Sequence, residues 1–380
     1  MSSRPEYEHE AIPASGLQLG DDERAAVERV LKSGMLAQGP EVAAFESEFA
    51  ETVDGRPCVA VNSGTSALHL GLLALGVGPG DEVVVPSFSF AATANAVALT
   101  GATPVFADIE ADHFCLDPDA VQAAIGPRTA AVMAVHLYGH PAAMGRLQEI
   151  AAKHGVALVE DAAQAHLARL DGRPVGALGA MAAFSFYPTK NMTSGEGGMV
   201  VLADEAAART VRLLRNQGME RRYANEIVGF NLRMTDLHAA IGRAQLRRLA
   251  GWTEVRRANA AYLSGLLSRI DGSAGGTGIV VPAVADGAEP VWHQYTVRVP
   301  HRDAVQAALT AAGIPSAVYY PTPIHRLPAY GLELDLPNTA RAAAQVLSLP
   351  AHPAVPAGGL DRVAAAVAAA VDEAKRSAAA

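Results

Sequence analysis

The sequence predicts an α/β fold with a mainly parallel central sheet and a smaller α+β unit after it. Two observations carry that prediction. From residue 58 to about 202, short apolar runs without polar alternation recur, and stretches with helical spacing separate most of them. Runs of that kind suit strands buried on both faces, and strand–helix alternation builds parallel sheets. The last ninety residues then change character, with two strand-like runs and two helices.

In chain order, residues 1–35 form an arm and a first helix, the helix running over 21–32. It opens on Asp and Glu, carries Lys near its end and stops at Gly34. A second helix follows over 40–53. Strands are expected at 58–61, 82–86, 103–108, 130–136, 156–161, 182–187 and 198–202. Helices between them are expected at 65–75, 90–99, 117–125 and 141–154. A local turn can reverse a strand, so one antiparallel member is allowed. Helices dominate 204–270, and 272–287, rich in Gly, Ala and Val, reads as a linker. The remainder gives strands at 291–299 and 315–320 and helices at 303–312 and 359–376. The expected units are therefore the arm 1–35, a large unit 36–255 and a small one 256–380. No internal repeat is evident.

Composition narrows the function. The chain has 380 residues, half of them hydrophobic, with 30 basic and 39 acidic side chains and a formal net charge of −9. That balance offers no basic surface for a nucleic-acid backbone. The two cysteines, Cys58 and Cys115, cannot build a disulfide framework, which fits a reducing cytoplasm. The polar, acidic N-terminus is unlike a targeting peptide, and no apolar run suits a membrane span.

Four features carry chemistry. The strand 58–61 ends in Asn62-Ser63-Gly64-Thr65 where a helix begins. A helix N-terminus with a glycine and hydroxyls can hold a phosphate, though Ser and Thr there are also ordinary caps. Phe90, after the strand 82–86, could stack on a planar cofactor or sit in the core. Asp161 ends the strand 156–161, where α/β sheets place their ligands, or caps the AAQA segment after it. Lys190 follows a strand and Tyr187-Pro188 and precedes a Gly-rich loop, and its amine can join a carbonyl compound as a Schiff base. Pyridoxal phosphate (PLP) needs a phosphate cup, a stacking ring, an acid beneath its pyridine nitrogen and a lysine. They occur here in that order, at 65, 90, 161 and 190.

With those residues in place, the chain resembles the DegT/DnrJ/StrS group of PLP-dependent sugar aminotransferases, of fold type I. The resemblance runs from about residue 12 to 353 and rests on NSGTSALHL, EDAAQAH, FSFYPTKN, GEGGMV, GFNLRMTDLHAAIGRAQL, WHQY and YYPTPIH, among others. It implies that Lys190 carries the cofactor and shuttles a proton, that Asp161 pairs with the pyridine nitrogen, and that Gln164 lies against the ring. By the same resemblance Phe90 stacks on the ring, Gly64, Thr65 and Ser185 hold the phosphate, and Asn231 reaches it from a partner subunit. The last role implies a homodimer with shared sites. The implied reaction is ping-pong transfer of an amino group from glutamate or glutamine to a keto sugar, with a nucleotide-linked sugar as the leading reading. A keto-cyclitol acceptor of the inosose type and a non-catalytic regulator are the alternatives. Members with His in place of the lysine are dehydratases, and the intact Lys190 favours transamination.

Departures from the family pattern bear on the substrate. Leu167 stands where the family has Gly, Ala143 where it has an acid, and Tyr319 where His is common. Ala180-Met181 also replaces a turn that usually contains Asp. His325, Tyr320, Arg233 and Leu167 are the candidate substrate contacts. His325 reads equally as a hydrogen-bonded loop histidine, and Arg233 equally as an anchor for its own loop. His136 and His140 share a metal-like spacing, but they lie at a strand end and loop without a third ligand, so no metal is expected.

Overall fold

A computed structural model describes residues 10–273 and 278–379. The first nine residues of the expected arm, residues 274–277 of the expected linker, and Ala380 lie outside them. Helices α1 (Asp21–Ser33) and α2 (Pro40–Ala50) precede β1 (Cys58–Val61) and α3 (Gly64–Ala74). Helix α2 begins with Pro at its first position, and its free N–H groups are met from far along the chain. The Asp236 carboxylate accepts from the N–H groups of Gly39 (2.8 Å) and Val42 (3.0 Å). There follow β2 (Glu82–Pro86), α4 (Ala92–Leu99), β3 (Thr103–Ala107), α5 (Pro118–Ala124), β4 (Thr129–Val135), α6 (Met144–His154) and β5 (Ala157–Asp161). The short strands β6 (Arg169–Leu170) and β7 (Arg173–Pro174) lead to β8 (Met181–Ser185), β9 (Gly198–Leu202) and α7 (Glu205–Arg215).

The seven main strands form one sheet in the order β1-β9-β8-β5-β4-β2-β3. Strand β9 pairs antiparallel with both β1 and β8, and the remaining neighbours are parallel. This is the α/β sheet with one reversed member. Both faces are covered, which is why the strands read as continuous apolar runs. Phe45, Phe49 and Leu147 belong to the core on one face, and Leu70, Val97 and Val211 to the core on the other. Burying each such side chain contributes about 1.5–3 kcal/mol.

Helix α8 (Asp236–Ser273) spans 38 residues. Its Leu249 lies in the first sheet core, whereas Ala260, Leu263 and Leu267 lie in a third core. The expected boundary at 255/256 thus falls inside one continuous helix. The strip β10 (Ala288–Glu289) pairs with β6. The third core is completed by β11 (Tyr295–Arg298), α9 (Arg302–Ala311), β12 (Val346–Leu349) and α11 (Gly359–Ala379), with Ile12 of the arm docked into it. Helix α10 (Pro337–Gln345) precedes β12. No helix among the described residues is long and apolar enough to cross a membrane.

Several boundaries differ from expectation. The strand expected at 291–299 shrinks to β11, because Trp292 takes a left-handed backbone with φ 48°. The strand expected at 315–320 is a single bridge between Ala317 and Ser348, and the true partner of β11 is β12. Pro315 lacks an N–H, and Tyr320 turns to φ 63°. Helix α4 starts at Ala92 rather than residue 90, which leaves Phe90 off the helix and 62% exposed.

Candidate active site

The strand ends converge on one cleft. Strands β4, β5 and β8 end at the same edge of the sheet as β1 and β2. The reversed β9 begins there, so the loop from β8 to β9 crosses that edge. The cleft has a volume of about 510 Å³. Gly64, Thr65, Phe90, Asp161, Gln164, Ser185, Lys190 and Tyr320 all line it.

The cup forms where β1 gives way to α3. Ser63 caps the helix through its hydroxyl, which accepts from the N–H of Ser66 at 3.1 Å. Gly64 lies so close to β8 that an added Cβ would stand 2.7 Å from Cβ of Ser185. Gly198 is needed for the same close approach, since a Cβ there would meet the Ser63 carbonyl oxygen at 2.3 Å. The two glycines draw the helix start and the Ser185 hydroxyl together at an anion-binding end. Replacing Gly64 by Ala is expected to push these walls apart and weaken phosphate-bearing ligands at least tenfold, a loss of about 1.4 kcal/mol. A titration of the cofactor-free protein with PLP, followed by absorbance, checks this.

Asp161 is 6% exposed at the end of β5. Its Oδ2 accepts from the Thr93 hydroxyl at 2.9 Å and its Oδ1 from the N–H of Ala163 at 3.2 Å. Since Thr93 donates to the acid, Ser89 donates to Thr93, at 2.9 Å. Burial raises the Asp161 carboxyl above its ordinary range, against those two hydrogen bonds and the charge of Lys190. Burial also lowers the Lys190 amine, against the attraction of Asp161. Among the described residues the Lys190 amine has no hydrogen-bond partner. A desolvated acid and a desolvated amine thus face one cleft.

Gln164 spans the wall. Its Oε1 accepts from the Tyr138 N–H at 2.7 Å, and its Nε2 donates to the Tyr320 hydroxyl at 2.8 Å. The Tyr138 and Tyr320 rings stack 6.5 Å apart, 11° from parallel. His293 lines the cleft as well. Asn191 Nδ2 donates to the Val291 carbonyl at 3.2 Å, so the Asn191 oxygen faces His293 Nδ1 at 3.1 Å. The proton therefore sits on Nδ1. Burial and the nearby charges of Lys190 and Arg256 push His293 well below its usual range, so it is neutral.

Three of the expected substrate contacts lie elsewhere. Leu167 packs against the first sheet core in a left-handed backbone, φ 68°, and does not line the cleft. Arg233 donates to Asn216 Oδ1 at 2.8 Å, which secures its own loop. His325 is buried with Nδ1 2.6 Å from the Ser87 hydroxyl and is likewise off the cleft. Asn231 is exposed, bridged to Asn216 through the backbone. The metal-like pair is otherwise employed. His136 Nδ1 accepts from the Ala142 N–H, so its Nε2 donates to buried Glu160 at 3.0 Å. His140 Nδ1 donates to the Pro141 carbonyl at 2.7 Å. Sequence reasoning missed Thr93, His293 and Asn191. Thr93 lies in α4 behind β2 and meets the acid at the end of β5 across 68 residues, so no local pattern ties the two. His293 and Asn191 meet across a hundred residues, and no local pattern marks them.

The DegT/DnrJ/EryC1/StrS aminotransferase family matches residues 17–368. The chain belongs to that family. It is 47% identical over 362 residues to the dTDP-3-amino-3,4,6-trideoxy-alpha-D-glucose transaminase of Streptomyces venezuelae, covering 93% of this chain and 94% of the relative. It is 45% identical to the erythromycin biosynthesis sensory transduction protein EryC1 of Saccharopolyspora erythraea, over 93% and 96% of the two chains. Among solved structures it superposes on S. venezuelae DesV in complex with a ketimine intermediate with a TM-score of 0.90, at 44% identity, covering 96% and 99%. As a member of this family the protein is an aminotransferase of fold type I that uses PLP. Its residues fit the group: an anion cup that excludes a Cβ, a buried carboxylate with only two donors, an unpaired amine and an exposed aromatic face share one cleft.

Proposed function

We propose that the protein moves the amino group of glutamate or glutamine onto a keto sugar carried by a nucleoside diphosphate. The observation that carries this reading is that Lys190 and Asp161, both desolvated, line one cleft beside the Gly64–Ser185 cup. PLP bound there supplies an electron sink for the amino acid's α-carbon. Asp161, fixed by Thr93 and Ala163, would hold a negative charge for the ring nitrogen. Phe90 and Gln164 would hold the ring, and Thr65 and Ser185 would donate to the phosphate. Lys190 holds and moves a proton at Nζ, and its lowered pKa keeps more of it as the free base at neutral pH. Of the four candidate substrate contacts, Tyr320, anchored by Gln164, is the one that fills that role. Asn231 of a second copy completes the phosphate site, so the working unit is a homodimer. The nucleotide-sugar acceptor is supported by the 47% identical dTDP-sugar transaminase.

The test incubates the PLP-loaded enzyme with glutamate or glutamine and a panel of acceptors, and reads product mass. Amination of dTDP-linked keto sugars, with inososes untouched, is the expected result. Amination of inososes alone overturns the acceptor, and no product with any ketone overturns the reaction.

A further inference from the structure

Next to the cleft lies a second cavity of about 250 Å³, which shares His293, Gln294 and Tyr319 with it. Its wall includes Arg256, only 6% exposed. Three arginines are buried among the described residues. Arg215 pairs with Glu46 and Arg302 with Asp303, but Arg256 meets no carboxylate. Its NH1 donates to the carbonyls of Trp292 (3.1 Å) and His293 (3.4 Å), and its Nε has no partner. Neither Asp nor Glu lines the cavity. Burial lowers this guanidinium to about 10, with no acid opposing, so it stays charged at neutral pH. An unpaired buried cation is costly, and a counter-ion in the adjoining space removes the cost. Two more polar atoms on the same wall, the Ser316 hydroxyl and His352 Nδ1, also lack partners.

We infer that this cavity is a binding site for a small oxyanion, a carboxylate or an inorganic phosphate, with Arg256 as its anchor and Ser316 as a donor. Guanidinium geometry suits either oxyanion through charge-assisted hydrogen bonds. The site is distinct from the cofactor cup, and it reaches the cleft through His293, whose carbonyl Arg256 holds.

The chain has two tryptophans, and Trp292 stands on the cavity wall. In a Trp252→Phe background Trp292 is the sole reporter. The PLP-loaded enzyme is titrated with sodium acetate, and separately with sodium phosphate, at constant ionic strength, following Trp292 fluorescence. A saturable single-site change with acetate marks a carboxylate site, and with phosphate an inorganic anion site. Ser316→Asp places a carboxylate on the wall and is expected to abolish the saturable change. Arg256→Gln is expected to weaken binding at least tenfold, and if it does not fold, the Ser316→Asp comparison stands alone. A response linear in both salts, or an unchanged curve in Ser316→Asp, overturns the inference.

Discussion

Lys190→Ala is expected to lower kcat by at least about 10³-fold, since positioned acid–base groups contribute on the order of 10²–10⁴ and the proposed role of this one amine also includes anchoring the cofactor. The variant should still bind PLP, because the cup at Gly64 and Ser185 and the carboxylate of Asp161 do not depend on the lysine. The visible absorbance band of lysine-bound PLP is expected to disappear, leaving that of the free aldehyde. Borohydride reduction followed by peptide mapping should label residue 190 in the native chain and nothing in the variant. Turnover and spectrum unchanged by the substitution would remove Lys190 from the reaction. In the proposed reaction the free amine acts as base, and burial lowers its pKa from 10.5. The proton-transfer limb of the pH profile should therefore rise below the pH at which an exposed lysine titrates.

The sheet was legible because its strands obey a local rule: residues such as Val59, Val84 and Val159 are apolar on both faces and lie between helical spacings. The positions of Gly64 and Asp161 on the cleft were legible for a related reason. Strand ends at one edge of an α/β sheet hold ligands, so Gly64 and Asp161 are marked by position as well as by type. The features that escaped the sequence depend on contacts across the chain. Asp236 caps α2 from nearly two hundred residues away. Strand β12 exists because β11 needs an antiparallel partner, and Val346–Leu349 alone is too short to announce itself. Leu167 drew attention as a bulky residue in a glycine position. Its left-handed backbone turns the side chain into the first core rather than the cleft. Arg256 was invisible for a similar reason, since nothing local says that no acid will face it.

Asp161→Asn should separate catalysis from stability. The amide keeps the shape and can still accept from Thr93, but it carries no charge to hold a proton on the ring nitrogen. Charge stabilisation of this preorganised kind is worth on the order of 10²–10³ in kcat, and that is the expected loss. The cofactor-free protein should respond in the opposite sense. The folded-state pKa of Asp161 lies above its unfolded value of 3.8 because burial disfavours the charged form. A group shifted upward supports the fold fully below the unfolded pKa and loses that support as pH rises through the folded one. At neutral pH the carboxylate is therefore a net burden on the empty protein, and the Asn variant should melt higher than the native chain. At pH below 3.8, where both side chains are neutral, the difference should vanish. With PLP bound the order should reverse, because the native carboxylate then faces a cation and the amide does not. Melting curves of both proteins, with and without PLP, at neutral and acidic pH give the four comparisons. A native chain that melts above the variant in the empty state at neutral pH would mean the acid is compensated by the protein alone. The buried charge would then not be a feature held in reserve for the cofactor.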